Sequence, residues 1–77
     1  MNASRRLANV VGLRLIPALV RLGWTAHRVA GSHHVLVKPG HRPITVPVHR
    51  ERAMKEPVAR AILRQAHVSE EEFLDPY

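Results

Sequence analysis

The sequence predicts an α+β domain of order α-β-β-β-α, with helices on one face of a three-stranded antiparallel sheet. Three patterns predict it: apolar residues at helical spacing from 13 to 22, three short period-two runs between 24 and 48, and a second helical pattern from about Pro57. With 77 residues, the chain makes one small domain. A domain of this size buries only about 60% of the surface its unfolded chain exposes, so its core is thin. It contains no cysteine, which excludes disulfide support and thiolate metal sites.

The elements follow in order. Residues 1–10 read as a basic, flexible leader, and 11–77 as the single domain. From Leu13 to Leu22, Leu15, Ile16, Leu19, Val20 and Leu22 share one side at 100° per residue, with Arg14 and Arg21 on the other. Pro17 interrupts this helix: near the first turn its missing N–H costs little, whereas deeper inside it forces a kink. Gly23 ends the helix. Trp24–Val29 is predicted as a strand, Ala30-Gly31-Ser32 as a tight turn, and His33–Lys38 as a second strand. In that strand His33, Val35 and Val37 lie on one face and His34, Leu36 and Lys38 on the other. A Pro- and Gly-bearing turn over 38–43 leads to a third strand, Ile44–Val48, with Ile44, Val46 and Val48 inward. Pro47 cannot donate to a ladder, which suits an edge strand. In the second helix Val58, Ala59, Ile62, Leu63 and Ala66 fall within one arc, and Arg60 and Arg64 project together. Ser69 followed by Glu70, Glu71 and Glu72 reads as an N-cap opening a short last helix.

Charge narrows the partner class. Twelve Lys and Arg, ten of them Arg, face six acids, for a net charge of +6. Four of those acids, Glu70, Glu71, Glu72 and Asp75, lie in the tail, so the body is more basic than the net figure. The planar arginine fork suits phosphate, and nucleic acid is the leading partner class. Arg5 and Arg6 precede an apolar stretch in the manner of a signal peptide. Arg14, Pro17 and Arg21 break that stretch and no small-residue cleavage site follows, so a cytoplasmic protein without a membrane span is expected.

His33 is by itself either an acid–base group or a partly buried structural histidine at the start of a strand. RNA cleavage needs a proton taken from a 2′-OH or given to a leaving oxygen, and an imidazole does either near neutrality. A histidine just past a glycine turn sits at a strand end that a nucleic-acid backbone can approach. His34, on the other face, reads as structural. His49 is either a second acid–base group or a solvated side chain. Supporting candidates are Arg28, Gly31, Ser32, Lys38, Arg60 and Arg64, with Arg42, Arg50 and Arg52 adding diffuse attraction for a polyanion. Arg28 and Lys38 are the cations expected to stabilise charge on the phosphorane. His33, His34, His41 and His49 have no carboxylate or thiolate at ligand spacing, so neither metal nor cofactor is expected.

The run Gly23-Trp24-x-x-x-Arg28-x-x-Gly31-Ser32-His33-His34 resembles the signature of HicA toxins. Val46-Pro47-Val48-His49, Ile62-Leu63-Arg64-Gln65-Ala66 and Val68-Ser69-x-Glu71-Glu72-Phe73 continue the likeness in order, over roughly residues 11–74. Pro17, Pro57-Val58 and His67 depart from the family pattern, His67 standing where a glycine is usual. The resemblance implies a fold similar to a double-stranded-RNA-binding domain and cleavage of mRNA, with the histidine after Gly31-Ser32, here His33, as catalytic residue. It also implies neutralisation by a HicB-type antitoxin. The alternative is a non-catalytic RNA-binding module, or an inactive toxin that only engages its antitoxin.

Overall fold

The computed structural model describes residues 7–75 and 77. Its order is α1 (Gly12–Arg21), β1 (Thr25–Ala30), β2 (His33–Val37), β3 (Ile44–Pro47), α2 (Glu56–Ala66) and α3 (Glu70–Leu74). The strands form one antiparallel sheet in the order β1-β2-β3, so the α-β-β-β-α arrangement read from the sequence is the one observed.

The core lies between one face of the sheet and the helices. Leu36, Ile44 and Val46 from the sheet meet Leu15, Ala18 and Leu19 from α1, Ala59, Ile62, Leu63 and Ala66 from α2, and Phe73 from α3. Trp24, just before β1 rather than inside it, is buried in the same cluster. Leu7 and Val10 are fully buried too, and the Met54 N–H donates to the Val10 carbonyl at 2.7 Å. Of the leader expected over 1–10, residues 1–6 lie outside the described residues, and Leu7 and Val10 pack into the core. Two apolar side chains in that stretch gain more from burial than a solvated leader would allow.

The buried arc of α1 is turned from the one expected. Gly12, Leu15, Ala18 and Leu19 face the core, while Val20 is exposed and Ile16 and Leu22 are half-buried. Small residues set this orientation by letting the helix approach the sheet: a Cβ on Gly12 would lie 2.6 Å from the Pro47 carbonyl oxygen. Pro17 sits in the helix interior, exposed, and α1 runs through it from Gly12 to Arg21. The helix ends as its glycine foretold. Gly23 has φ +103°, its N–H donates to the Val20 carbonyl and that of Trp24 to the Leu19 carbonyl, the paired bonds of a Schellman motif. The start of α1 is held from the far end of the chain: the Val11 N–H donates to the Tyr77 hydroxyl, and the Arg14 guanidinium lies over the Tyr77 ring.

β3 is an edge strand, which accommodates Pro47, and α2 packs along it. At one end of this seam Pro47 lies by Lys55 and Val58, and at the other Ile44 lies by Arg64 and His67, so α2 runs antiparallel to β3. α2 closes with His67 at φ 57°, its N–H on the Arg64 carbonyl and that of Val68 on the Leu63 carbonyl. α3 opens with the predicted cap: Ser69 Oγ accepts from the Glu72 N–H, and a Glu72 carboxylate oxygen accepts from the Ser69 N–H.

Candidate active site on the open sheet face

The sheet face away from the helices has no covering layer among the described residues. Alternation places Val35 and Val37 of β2 opposite the buried Leu36, and cross-strand pairs share a face. That face therefore carries Arg28 and Ala30 of β1, His33, Val35 and Val37 of β2, and Thr45 and Pro47 of β3. Every residue of β1 is exposed, and a register shift between Ala26 and Arg28 leaves His27 as the bulged residue.

His33 is the first residue of β2, directly after the two-residue turn Gly31-Ser32. Gly31 has φ +60° and Ser32 does not share the left-handed conformation, the pattern of a type II′ hairpin turn, which asks for glycine at its first central position. No atom lies within 4 Å of where a Gly31 Cβ would stand, so the glycine answers to backbone conformation, and the space beside it is open. The Ser32 carbonyl accepts from the Val48 N–H at 2.7 Å, tying the turn to the end of β3. His33 is thus held between two fixed strands. Its cross-strand neighbours are Ala30 and Pro47, both too short to cover an imidazole. The side chain is exposed and has no hydrogen-bond, ionic or ring partner among the described residues. His34, one residue on, points to the helix side between Val29 and Val46 and is half-buried.

The other candidates divide by position. Arg28 pairs with Val35 and is exposed on the same face, so its base lies diagonally from His33 at roughly 7–8 Å, within reach of a long side chain. His49 is exposed just past β3, two residues from the partner of His33, and borders a trough with Pro47, Arg52, Met54, Lys55 and Val58. Lys38 is at the opposite end of β2: its ammonium donates to the Leu22 carbonyl and its stem lies against Gly23, so it caps α1. Arg60 pairs with Glu56 at 2.7 Å and Glu70 at 3.2 Å, so its charge is met within the fold. Arg64 is exposed and lines a groove at the end of α2 with His41, Arg42, Gln65 and His67. The structure thus brings Arg28, Gly31, Ser32 and His49 to the His33 end of the sheet, and places Lys38, Arg60 and Arg64 elsewhere.

Sequence reasoning missed Lys55, which immediately precedes α2 and joins Arg52 beside Pro47. The signal was present: a helix opening at Glu56–Pro57 after a basic stretch must return to the sheet at the end of β3. It also missed a run of rings in which His41 packs edge-on against Trp24, with centroids 5.3 Å apart, and His67 against His41 at 5.4 Å. Among the described residues no three His, Cys, Asp or Glu side chains cluster as a metal-ligand set, and no helix is long and apolar enough to cross a membrane.

The family described as HicA toxin of bacterial toxin-antitoxin matches this sequence over residues 13–68, a span that holds the whole sheet, the Gly31-Ser32 turn, His33 and α2. The chain belongs to the HicA toxin family. No curated relative matches it. Family membership assigns this HicA-type chain to a toxin–antitoxin system as the toxin, with an antitoxin as its partner. The matched span begins one residue inside α1 and stops just past the cap of α2, so α3 lies outside it, as does Tyr77, which holds the start of α1.

Proposed function

We propose that this protein is a cytoplasmic, metal-independent endoribonuclease that cleaves mRNA with His33 as the general acid or base, and that a HicB-type antitoxin silences it. One observation carries the proposal. His33 is fixed by a tight turn on an uncovered sheet face, between two short side chains, and no partner among the described residues accounts for it. A histidine that stabilised the fold would be packed or bonded, as His34 and His41 are.

The chemistry asks little beyond that imidazole. The 2′-oxygen of the nucleotide before the cut attacks phosphorus, the bond from phosphorus to the 5′-oxygen breaks, and a 2′,3′-cyclic phosphate and a 5′-hydroxyl result. His33 takes the proton from the 2′-OH or delivers one to the departing oxygen, a role worth about 10²–10⁴-fold in rate. Arg28 reaches the same face and opposes the charge that grows on the phosphorane. His49, exposed just past β3, serves as the complementary proton-transfer group. Gly31 and Ser32 supply an open turn beside the reacting phosphate. An antitoxin that covers this face removes His33 and Arg28 from RNA together, and an acidic surface competes for the same cations.

The test is incubation of purified protein with single-stranded RNA in excess EDTA, with product ends identified. Cleavage leaving cyclic phosphates is the expected result. Loss of cleavage that zinc or magnesium restores would overturn the mechanism, and absence of cleavage under all conditions would favour a binding module.

A further inference from the structure

We infer that the seam between edge strand β3 and helix α2 is a track for the RNA backbone, leading to His33 from one side. The inference rests on the nuclease reading above and names how the substrate is held.

Two grooves lie on this seam, one at each end. At the His33 end Pro47, the cross-strand partner of His33, borders a trough with His49, Arg52 and Lys55. At the other end Ile44, three residues from His33's partner along the same strand, borders a groove with Arg42, Arg64 and His67. Because α2 runs antiparallel to β3, these are the two ends of a single line. From Lys55 to His67 it spans twelve helical rises, about 18 Å at 1.5 Å per residue, room for a few consecutive phosphates.

Three features point to a polyanion. Arg42, Arg52, Lys55 and Arg64 are all exposed, and none of their side chains has a hydrogen-bond or ionic partner among the described residues. Neither groove is lined by an acid. Glu56 at the start of α2 and Glu70 at the start of α3 are both engaged by Arg60, so neither neutralises the seam. The fold thus separates its α2 arginines: Arg60 is spent on internal pairing and Arg64 is left bare one turn later. The Gln65 amide and the His41 and His67 imidazoles add donors suited to phosphate and sugar oxygens. A thread of spaced cations along an edge, ending beside the reactive imidazole, matches a linear backbone better than a broad protein surface.

The experiment measures binding of a fluorescein-labelled single-stranded oligoribonucleotide across a salt series, in a His33→Ala background so that the probe stays intact. The seam variants are Arg52→Gln/Lys55→Gln and Arg42→Gln/Arg64→Gln, with Arg60→Gln as a control that removes a charge already paired. All four seam side chains are exposed, and thermal melts confirm that the variants stay folded. Each phosphate contact on a single strand contributes about 0.7 to the slope of log affinity against log salt, so each pair should lower it by roughly 1.4 while Arg60→Gln leaves it near the parent value. The affinity lost at low salt should be tenfold or more for each pair. Slopes and affinities unchanged in both pairs, with the wild-type protein still cleaving the RNA, would overturn the track and leave the nuclease reading standing. Unchanged RNA binding with weakened binding of the cognate antitoxin would assign the seam to that protein and equally overturn it. A wild-type protein that neither binds nor cleaves the RNA would remove the nuclease reading and the track with it.

Discussion

The two faces of this sheet are built from the same three strands and obey different rules. On the helix side Leu36, Ile44 and Val46 are buried, and packing against α1 and α2 accounts for them. On the open side Arg28, Ala30, His33 and Thr45 are exposed, and nothing in the fold needs those side chains. His33 and His34 show the contrast in adjacent positions. One residue of strand shifts a histidine from a packed setting to a bare one, because side chains alternate with period two. Residues that pack are explained by stability; those on the bare face call for another explanation, and chemistry on a polyanion supplies one.

Two substitutions on the packed side sharpen this division. Gly12→Ala has the larger effect. Its Cβ would lie 2.6 Å from the Pro47 carbonyl oxygen, a backbone atom that moves only with the end of β3. Overpacking of this kind costs about 1–3 kcal/mol, more than the gain in helix propensity returns. Because Pro47 pairs with His33, cleavage should fall as well, although no group touching RNA has changed. A variant as stable as the wild type by thermal melt would mean that α1 does not press on the strand that positions His33.

Ser69→Ala has the smaller effect, about 1 kcal/mol for loss of an N-cap, or about 4–8 °C in melting temperature for a domain of this size. It should leave cleavage unchanged, since α3 packs behind the sheet through Phe73. The same cap carries a pH signature. The Ser69 main-chain N–H, then its hydroxyl, hold the Glu72 carboxyl below its ordinary range. A carboxylate whose folded pKa is depressed contributes stability above its unfolded pKa and loses it as pH falls through the folded one. Wild-type stability should therefore decline through the acid range below the usual carboxylate pKa, and Ser69→Ala should flatten part of that decline. Equal slopes in the two proteins would show that the Ser69 hydroxyl does not act through Glu72.

Much of this was legible in the sequence, for definite reasons. Period-two alternation in the stretch His33–Val37 assigned His33 and His34 to opposite faces, and Pro47 marked an edge strand. Gly23 and Ser69 marked a helix end and a helix start. What could not be read depended on contacts between distant segments. The burial of Leu7 and Val10 needs the rest of the core cluster in place, and the orientation of α1 depends on Gly12 meeting Pro47. Periodicity put Arg60 and Arg64 together on one helix. Glu56, one turn back on α2, and Glu70 of α3 separated them, by pairing Arg60 and leaving Arg64 in the groove. Lys38 looked like an active-site cation because it shares a strand with His33. The length of that strand and the Leu22 carbonyl assign it to the end of α1 instead.

The most direct test of the central claim replaces the two adjacent histidines in parallel and reads cleavage rate and melting temperature for each. His33→Ala should lower cleavage by about 10²-fold or more, the scale of a lost general acid or base, with the melting temperature unchanged. His34→Ala should lower the melting temperature, because it removes a half-buried side chain between Val29 and Val46, and should retain cleavage wherever the protein is folded. Wild-type cleavage by His33→Ala, or its loss in a fully folded His34→Ala, would contradict the assignment of chemistry to the open face.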